Sequence, residues 1–97
     1  MAQDAVVTVA AGGTWTELTD GDVTAITFQV LGNDYILVQA TTGTAPTADT
    51  VNGFHYNAQM GAQNVSLTDL WPGVASADRV FARTQTGNAC DVKVSHA

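Results

Sequence analysis

Apolar side chains in this chain recur at every second residue, and that period decides what the chain can fold into. In Thr24-Ala25-Ile26-Thr27-Phe28-Gln29-Val30, Ile26, Phe28 and Val30 fall on one side and Thr27 and Gln29 on the other. Side chains alternate across a strand but return every 3.6 residues around a helix, so the pattern predicts a half-buried strand. Val7 and Val9 flank Thr8 in the same way and predict a strand over about 5–10. Thr14-Trp15-Thr16-Glu17-Leu18 resumes the alternation, and so does Arg79-Val80-Phe81-Ala82-Arg83-Thr84. Near the end, Cys90, Val92 and Val94 face inward while Asp91 and Lys93 face outward. Tyr35-Ile36-Leu37-Val38-Gln39-Ala40 is almost continuously apolar, as expected of a strand buried on both faces.

Turn residues punctuate these runs. Ala11-Gly12-Gly13 breaks the first strand, and Gly21 in Thr19-Asp20-Gly21-Asp22 is free to take positive φ. Gly32-Asn33-Asp34 separates two apolar runs and predicts a hairpin of 23–31 with 35–41. Thr86-Gly87-Asn88 predicts a second hairpin between 79–84 and 89–95. Residues 41–53, with Pro46 near the middle, read as a long loop; Phe54-His55-Tyr56 reads as a short strand, Asn57 to Gln63 as a loop, and Val65 to Leu67 as a strand end. Ser66 with Asp69 three residues on has the form of a helix N-cap, but Pro72-Gly73 allows one turn at most. Seven or eight short, mostly antiparallel strands at this spacing predict an all-β fold, a compact β-sandwich or small β-barrel. The 97 residues make one domain, 1–97, with residues 1–9 as an N-terminal bridging arm or edge strand.

Charge narrows the partners. Nine acidic residues stand against Arg79, Arg83 and Lys93, and no Lys or Arg precedes position 79. Nucleic-acid grip, phosphate clamping and binding to anionic membranes all need clustered cations, so neither a nucleic acid nor a membrane is expected as partner. The three cations are expected together in the C-terminal hairpin, the natural place to dock on an acidic neighbour. Charged residues make up 12% of the chain, about half the usual ~25%, and a surface covered instead by Thr, Gln, Asn and Ser suits association with other subunits. No apolar run is long enough to span a bilayer, and Met1-Ala2-Gln3-Asp4 lacks the basic and apolar regions of a signal peptide.

Residues with reactive side chains are few. His55, His96 and Cys90 would have to supply a transition-metal site, yet no two stand at a local ligand spacing, so neither metal nor cofactor is expected. Asp20-Gly21-Asp22 and Asn33-Asp34 lack the spaced oxygens of a calcium loop. Cys90, alone in the chain and therefore outside any intramolecular disulfide, lies on an inward face with Asp91 pointing away, which makes it a poor nucleophile. Ser66, Ser76 and Ser95 are not in a G-x-S-x-G turn, and one Glu with scattered turn Asp residues makes no carboxylate pair. The expectation is a non-enzymatic protein. Among the aromatics, Phe28 and Phe81 are expected inward and Trp71 as a plug at one end of the fold, leaving Trp15 and Tyr56 as interface candidates. With them stand Val7 and Val9 of the N-terminal arm and the three cations Arg79, Arg83 and Lys93.

Several pieces of the chain resemble small virion proteins of tailed bacteriophages. They are Thr14-Trp15-Thr16-Glu17-Leu18-Thr19 followed by Thr24 to Phe28, then Asn64 to Val74 with its Leu70-Trp71-Pro72-Gly73 turn, then Arg79 to Ala82, and the ending Val92-Lys93-Val94-Ser95-His96-Ala97. The Leu-Trp-Pro-Gly and Val-Ser-His-Ala pieces are the specific ones. The resemblance implies a capsid decoration or cement protein, made in the bacterial cytoplasm and carried on the phage head. Its partners would be the major capsid protein and copies of itself, with a trimer favoured. A tail or fibre component touching the host surface is the alternative the resemblance leaves open, and a cellular β-domain that acts as a binding module is another.

Overall fold

The computed structural model describes residues 2–47, 51–85 and 88–97. Among them are eight strands and one helical turn: β1 (Gln3–Val9), β2 (Thr16–Glu17), β3 (Ala25–Val30), β4 (Ile36–Thr41), β5 (Phe54–Tyr56), β6 (Gly61–Ser66), α1 (Leu67–Leu70), β7 (Arg79–Thr84) and β8 (Cys90–His96). They form two four-stranded antiparallel sheets, β1-β8-β3-β6 and β2-β7-β4-β5. We call the first sheet A and the second sheet B. The architecture is the expected small β-sandwich.

Alternation delivers the core. Val9, Ile26, Phe28, Val30, Cys90, Val92 and Val94 from sheet A meet Ile36, Val38, Ala40, Val80 and Ala82 from sheet B in one buried cluster. Leu18, Leu67 and Trp71 join it from the connections. Each fully buried Val, Leu or Ile contributes on the order of 1.5–3 kcal/mol through area removed from water. β4 is buried on both faces as predicted, since Ile36, Leu37 and Val38 are all sealed. Phe81 departs from expectation: it is buried, but Val80 and Ala82 on either side point into the core, so Phe81 takes the outer side of sheet B, in register with Gln39 and Glu17. Ser66 caps α1 through its Oγ, which accepts from the Asp69 amide at 3.1 Å. Trp71 follows directly, 5% exposed, and closes the core where the sequence places the plug.

Both predicted hairpins are corners instead. β3 lies in sheet A and β4 in sheet B; β7 lies in sheet B and β8 in sheet A. After Val30 the chain does not turn back on itself: the amides of Leu31 and Gly32 both donate to the Asp91 carbonyl, at 2.9 and 3.4 Å. The chain therefore stays beside β8 for two residues before it crosses to sheet B. Gly32 permits this close approach, because a Cβ there would stand 2.8 Å from Cys90 Sγ. Residues Thr86 and Gly87 of the second expected turn lie outside the described residues, as do 48–50 of the long loop. Asn57 to Gln63 is not wholly loop, since β6 begins at Gly61.

β6 is irregular. Its register on β3 shifts between Ile26 and Phe28, and Asn64 takes a φ of 46° while its amide donates to Thr27 Oγ1 at 2.8 Å. Gly61 lies so close to β3 that any side chain would run into the Phe28 carbonyl. Gly61→Ala is therefore expected to destabilise the fold by about 1–3 kcal/mol in chemical denaturation, the cost of forcing backbone apart. Gly73→Ala, where a Cβ meets nothing within 4 Å, should change stability by no more than about 0.5 kcal/mol. Equal effects at the two glycines would contradict this packing.

Candidate interaction surface

Ion pairs place the cations first. Arg79 Nε donates to Asp22 Oδ1 at 3.0 Å, and its Nη1 lies 3.8 Å from Glu17. The hydrogen bond to Asp22 is the main reason its pKa is raised; Glu17, Asp22 and Asp78 add to it and outweigh partial desolvation. Arg83 lies on the same outer face of sheet B, its guanidinium 5.8 Å from the centre of the Trp15 ring, a cation–π contact. Lys93 is elsewhere: it stands on the outer face of sheet A, with Nζ 2.7 Å from Asp4 Oδ1. The three cations thus occupy opposite faces of the sandwich, not one hairpin, because β7 and β8 belong to different sheets.

The remaining interface candidates divide in the same way. Val9 is fully buried, and Val7 is partly buried against the core. The residue that β1 turns outward is Val6, 53% exposed. Trp15 is half-buried beneath Arg83. Tyr56 is half-buried on the core edge, edge-on to Phe28 with ring centres 4.9 Å apart. Alternation could have singled out Val6, since Val7 and Val9 set the inward phase, but the adjacent pair Val6-Val7 hides which valine is outward.

His96, which the sequence offers as a possible metal ligand, instead ties β8 to a turn. Its Nε2 accepts from the Asp20 amide at 2.9 Å. The ring proton is thereby placed on Nδ1, which faces the Ala97 carbonyl at 3.2 Å. Across the sandwich, Gln3 Nε2 donates to the Leu18 carbonyl at 3.1 Å, fastening the start of β1 to the far sheet. Thr8 Oγ1 donates to Asp91 Oδ1 at 2.7 Å. The outer surface of β1 and β8 is consequently a strip in which each charge has a local partner: Asp4 with Lys93, Asp91 with Thr8.

Two of the shallow depressions on the surface collect polar groups. One, lined by Thr27, Gln29, Gln59, Gly61, Ala62 and Gln63, runs along β3 and β6 and presents amides and hydroxyls. The other brings Asp22 and Asp78 to one cleft with Thr24, Thr68, Ser76 and Ala97. Both carboxylates there are already engaged, Asp22 by Arg79 and Asp78 by the Gly43 amide at 2.8 Å. Among the described residues, no three of His, Cys, Asp and Glu come together as a metal site, and no helix is long and apolar enough to cross a membrane.

Comparison of the chain with protein families, with curated proteins and with solved structures found no match.

Cys90 is buried behind the Gly32 corner, and that burial pushes its thiol pKa up. Burial does the same to the Tyr56 phenol. In both cases folding favours the neutral form, so the contribution is fully present below the ordinary thiol and phenol values and is lost as pH rises through the raised ones. The native protein should accordingly lose stability at alkaline pH. At pH 8, a disulfide reagent should label Cys90 at least about tenfold more slowly in the folded than in the urea-unfolded chain. Equal labelling rates would show that the corner does not seal the thiol.

Proposed function

We propose that the protein is a non-enzymatic structural component of a phage virion, a decoration or cement protein that stabilises the head by bridging capsomers. The observation that carries this reading is the outer strip along β1 and β8, in which Asp4 pairs with Lys93 and Asp91 accepts from Thr8, ending in a strand that pairs with a neighbouring strand on one side only. Such a surface joins others through backbone, shape and modest apolar area, which is what a bridging subunit needs. The sequence resemblance to small virion proteins points the same way.

The tail or fibre reading rests on aromatic side chains open in a groove. Trp71 is sealed in the core, and Trp15 and Tyr56 are each half-covered by a neighbour. That favours the head reading. A cement binds the intact shell and not its separated parts, so it stabilises the shell by linkage. Particles stripped of this protein should therefore rupture at a lower temperature than complete ones, and adding it back should restore the threshold. Complete particles should carry about as many copies as there are capsomer junctions. Equal rupture thresholds, or only the few copies a tail could hold, would overturn the proposal.

A further inference from the structure

Four strand edges border the two sheets, and they are not alike. β2 and β5 are edges of two and three residues. β6 is bulged against β3, with Asn64 at positive φ. Shortness and bulging are the devices by which proteins prevent edges from pairing with other chains. β1 has neither. It runs seven residues, pairs without a break from Gln3 opposite His96 to Val9 opposite Cys90, and has no residue at positive φ and no Pro. Its one charge, Asp4, is matched by Lys93 on the neighbouring strand. Among the described strands, β1 is the long edge left without protection.

We propose that the occupant of this edge is β1 of a second copy, so that two sandwiches join through one continuous eight-stranded sheet about a two-fold axis. The sequence of β1 fits itself. With the axis at Val6, antiparallel pairing sets Gln3 opposite Val9, Asp4 opposite Thr8, Ala5 opposite Val7, and Val6 opposite its own symmetry mate. All seven residues pair, and their inward and outward phases agree, since every pair joins residues of the same face. Asp4 meets a hydroxyl residue instead of another Asp4, which avoids the like-charge contact that weakens cross-strand pairs. The exposed Val6 side chains cover each other at the axis. The net charge of −6 per chain does not oppose this, because on the strip Asp4 is paired with Lys93 and only Asp91, bonded to the neutral Thr8, keeps its charge, while charges farther than about 8 Å are screened at physiological salt. The inference stands on β1 alone and does not require the virion reading.

Sedimentation of the isolated full chain tests it. The contact is smaller than a standard ~1,600 Å² interface, so a monomer–dimer equilibrium with a dissociation constant on the order of 10–100 µM is expected. Val6→Lys should weaken it roughly tenfold by opposing two cations and removing the apolar contact, and Val6→Glu should do likewise. An equimolar mixture of the two variants should dimerise at least as well as the parent, because Lys then faces Glu across the axis. Position 6 is opposite Lys93 within each chain, so Val6→Glu gains a cross-strand partner and Val6→Lys a like charge; circular dichroism and the melting temperature of each variant check that the monomer stays folded, and the recovery in the mixture reports the axis alone. Phe54→Lys on β5, 59% exposed, should leave dimerisation unchanged. A parent chain that stays monomeric to about 1 mM, a dimer indifferent to both Val6 charges, a mixture that does not recover, or a dimer lost on Phe54→Lys would overturn the proposal. Failure here leaves the rupture and copy-number tests of the cement reading untouched, and failure there leaves this one standing.

Discussion

Val30, Val92 and Val94 from one sheet and Val38, Val80 and Ala82 from the other are buried completely in a single layer. That layer is shared by two sheets that exchange the chain at two corners, between β3 and β4 and between β7 and β8. The four strands involved are the inner strands of the two sheets. Because each corner feeds both sheets, neither sheet can form its full inner face without the other. The fold has one free cysteine and no disulfide, so this apolar layer and its hydrogen-bonded ladders carry the stability of a domain near the small end of the range.

Sealing the centre pushes variability to the rim. The edges β2, β5 and β6 are short or bulged, and the connections near them are held by side chains that reach across: Gln3 to Leu18, His96 to Asp20, Thr42 to the Ala75 carbonyl at 2.8 Å. β1 is different because its inward residues complete the core while its outer edge pairs with no strand among the described residues. An extended backbone edge with little charge is a general-purpose binding element, since main-chain hydrogen bonds supply affinity and alternate side chains supply selection. The structural role proposed for the protein follows from that edge and from the adjoining strip, whose charges each have a local partner, more than from any side chain with reactive chemistry.

Much of this was legible in the sequence, and the part that was not has a physical cause. Alternation places β3, β7 and β8 within a residue or two, and it identifies Ile26, Phe28, Val30, Val92 and Val94 as core; on β7 its phase is inverted, since Phe81 is expected inward and Val80 takes that place. The Ser66 cap and the Pro72-Gly73 stop bounded α1. Sheet partners were not legible. Gly32-Asn33-Asp34 signals that the chain changes direction, but a turn and a sheet-to-sheet corner use the same residues, and a strand's inner face is equally satisfied by a neighbour beside it or opposite it. The deciding contacts, Leu31 and Gly32 amides on the Asp91 carbonyl, join residues some sixty positions apart, beyond the reach of local pattern. The same ambiguity puts Arg79, Arg83 and Lys93 in one predicted hairpin, whereas they lie on two faces. Phe81 defies the pattern because burial and inward facing coincide in most strands, whereas sheet B buries part of its outer side as well.

The account depends most on β1 being an intact but open edge. Residue-resolved amide exchange, measured on dilute and on concentrated protein, addresses that directly. In dilute solution, the β1 amides bonded to β8 should exchange slowly and the alternate ones, directed away from it, quickly. On concentration the fast set should slow in step with dimer formation, while amides of β3, β4 and β7 stay unchanged. Exchange along β1 that is independent of concentration, or new protection on β5 or β6 instead, would contradict the account.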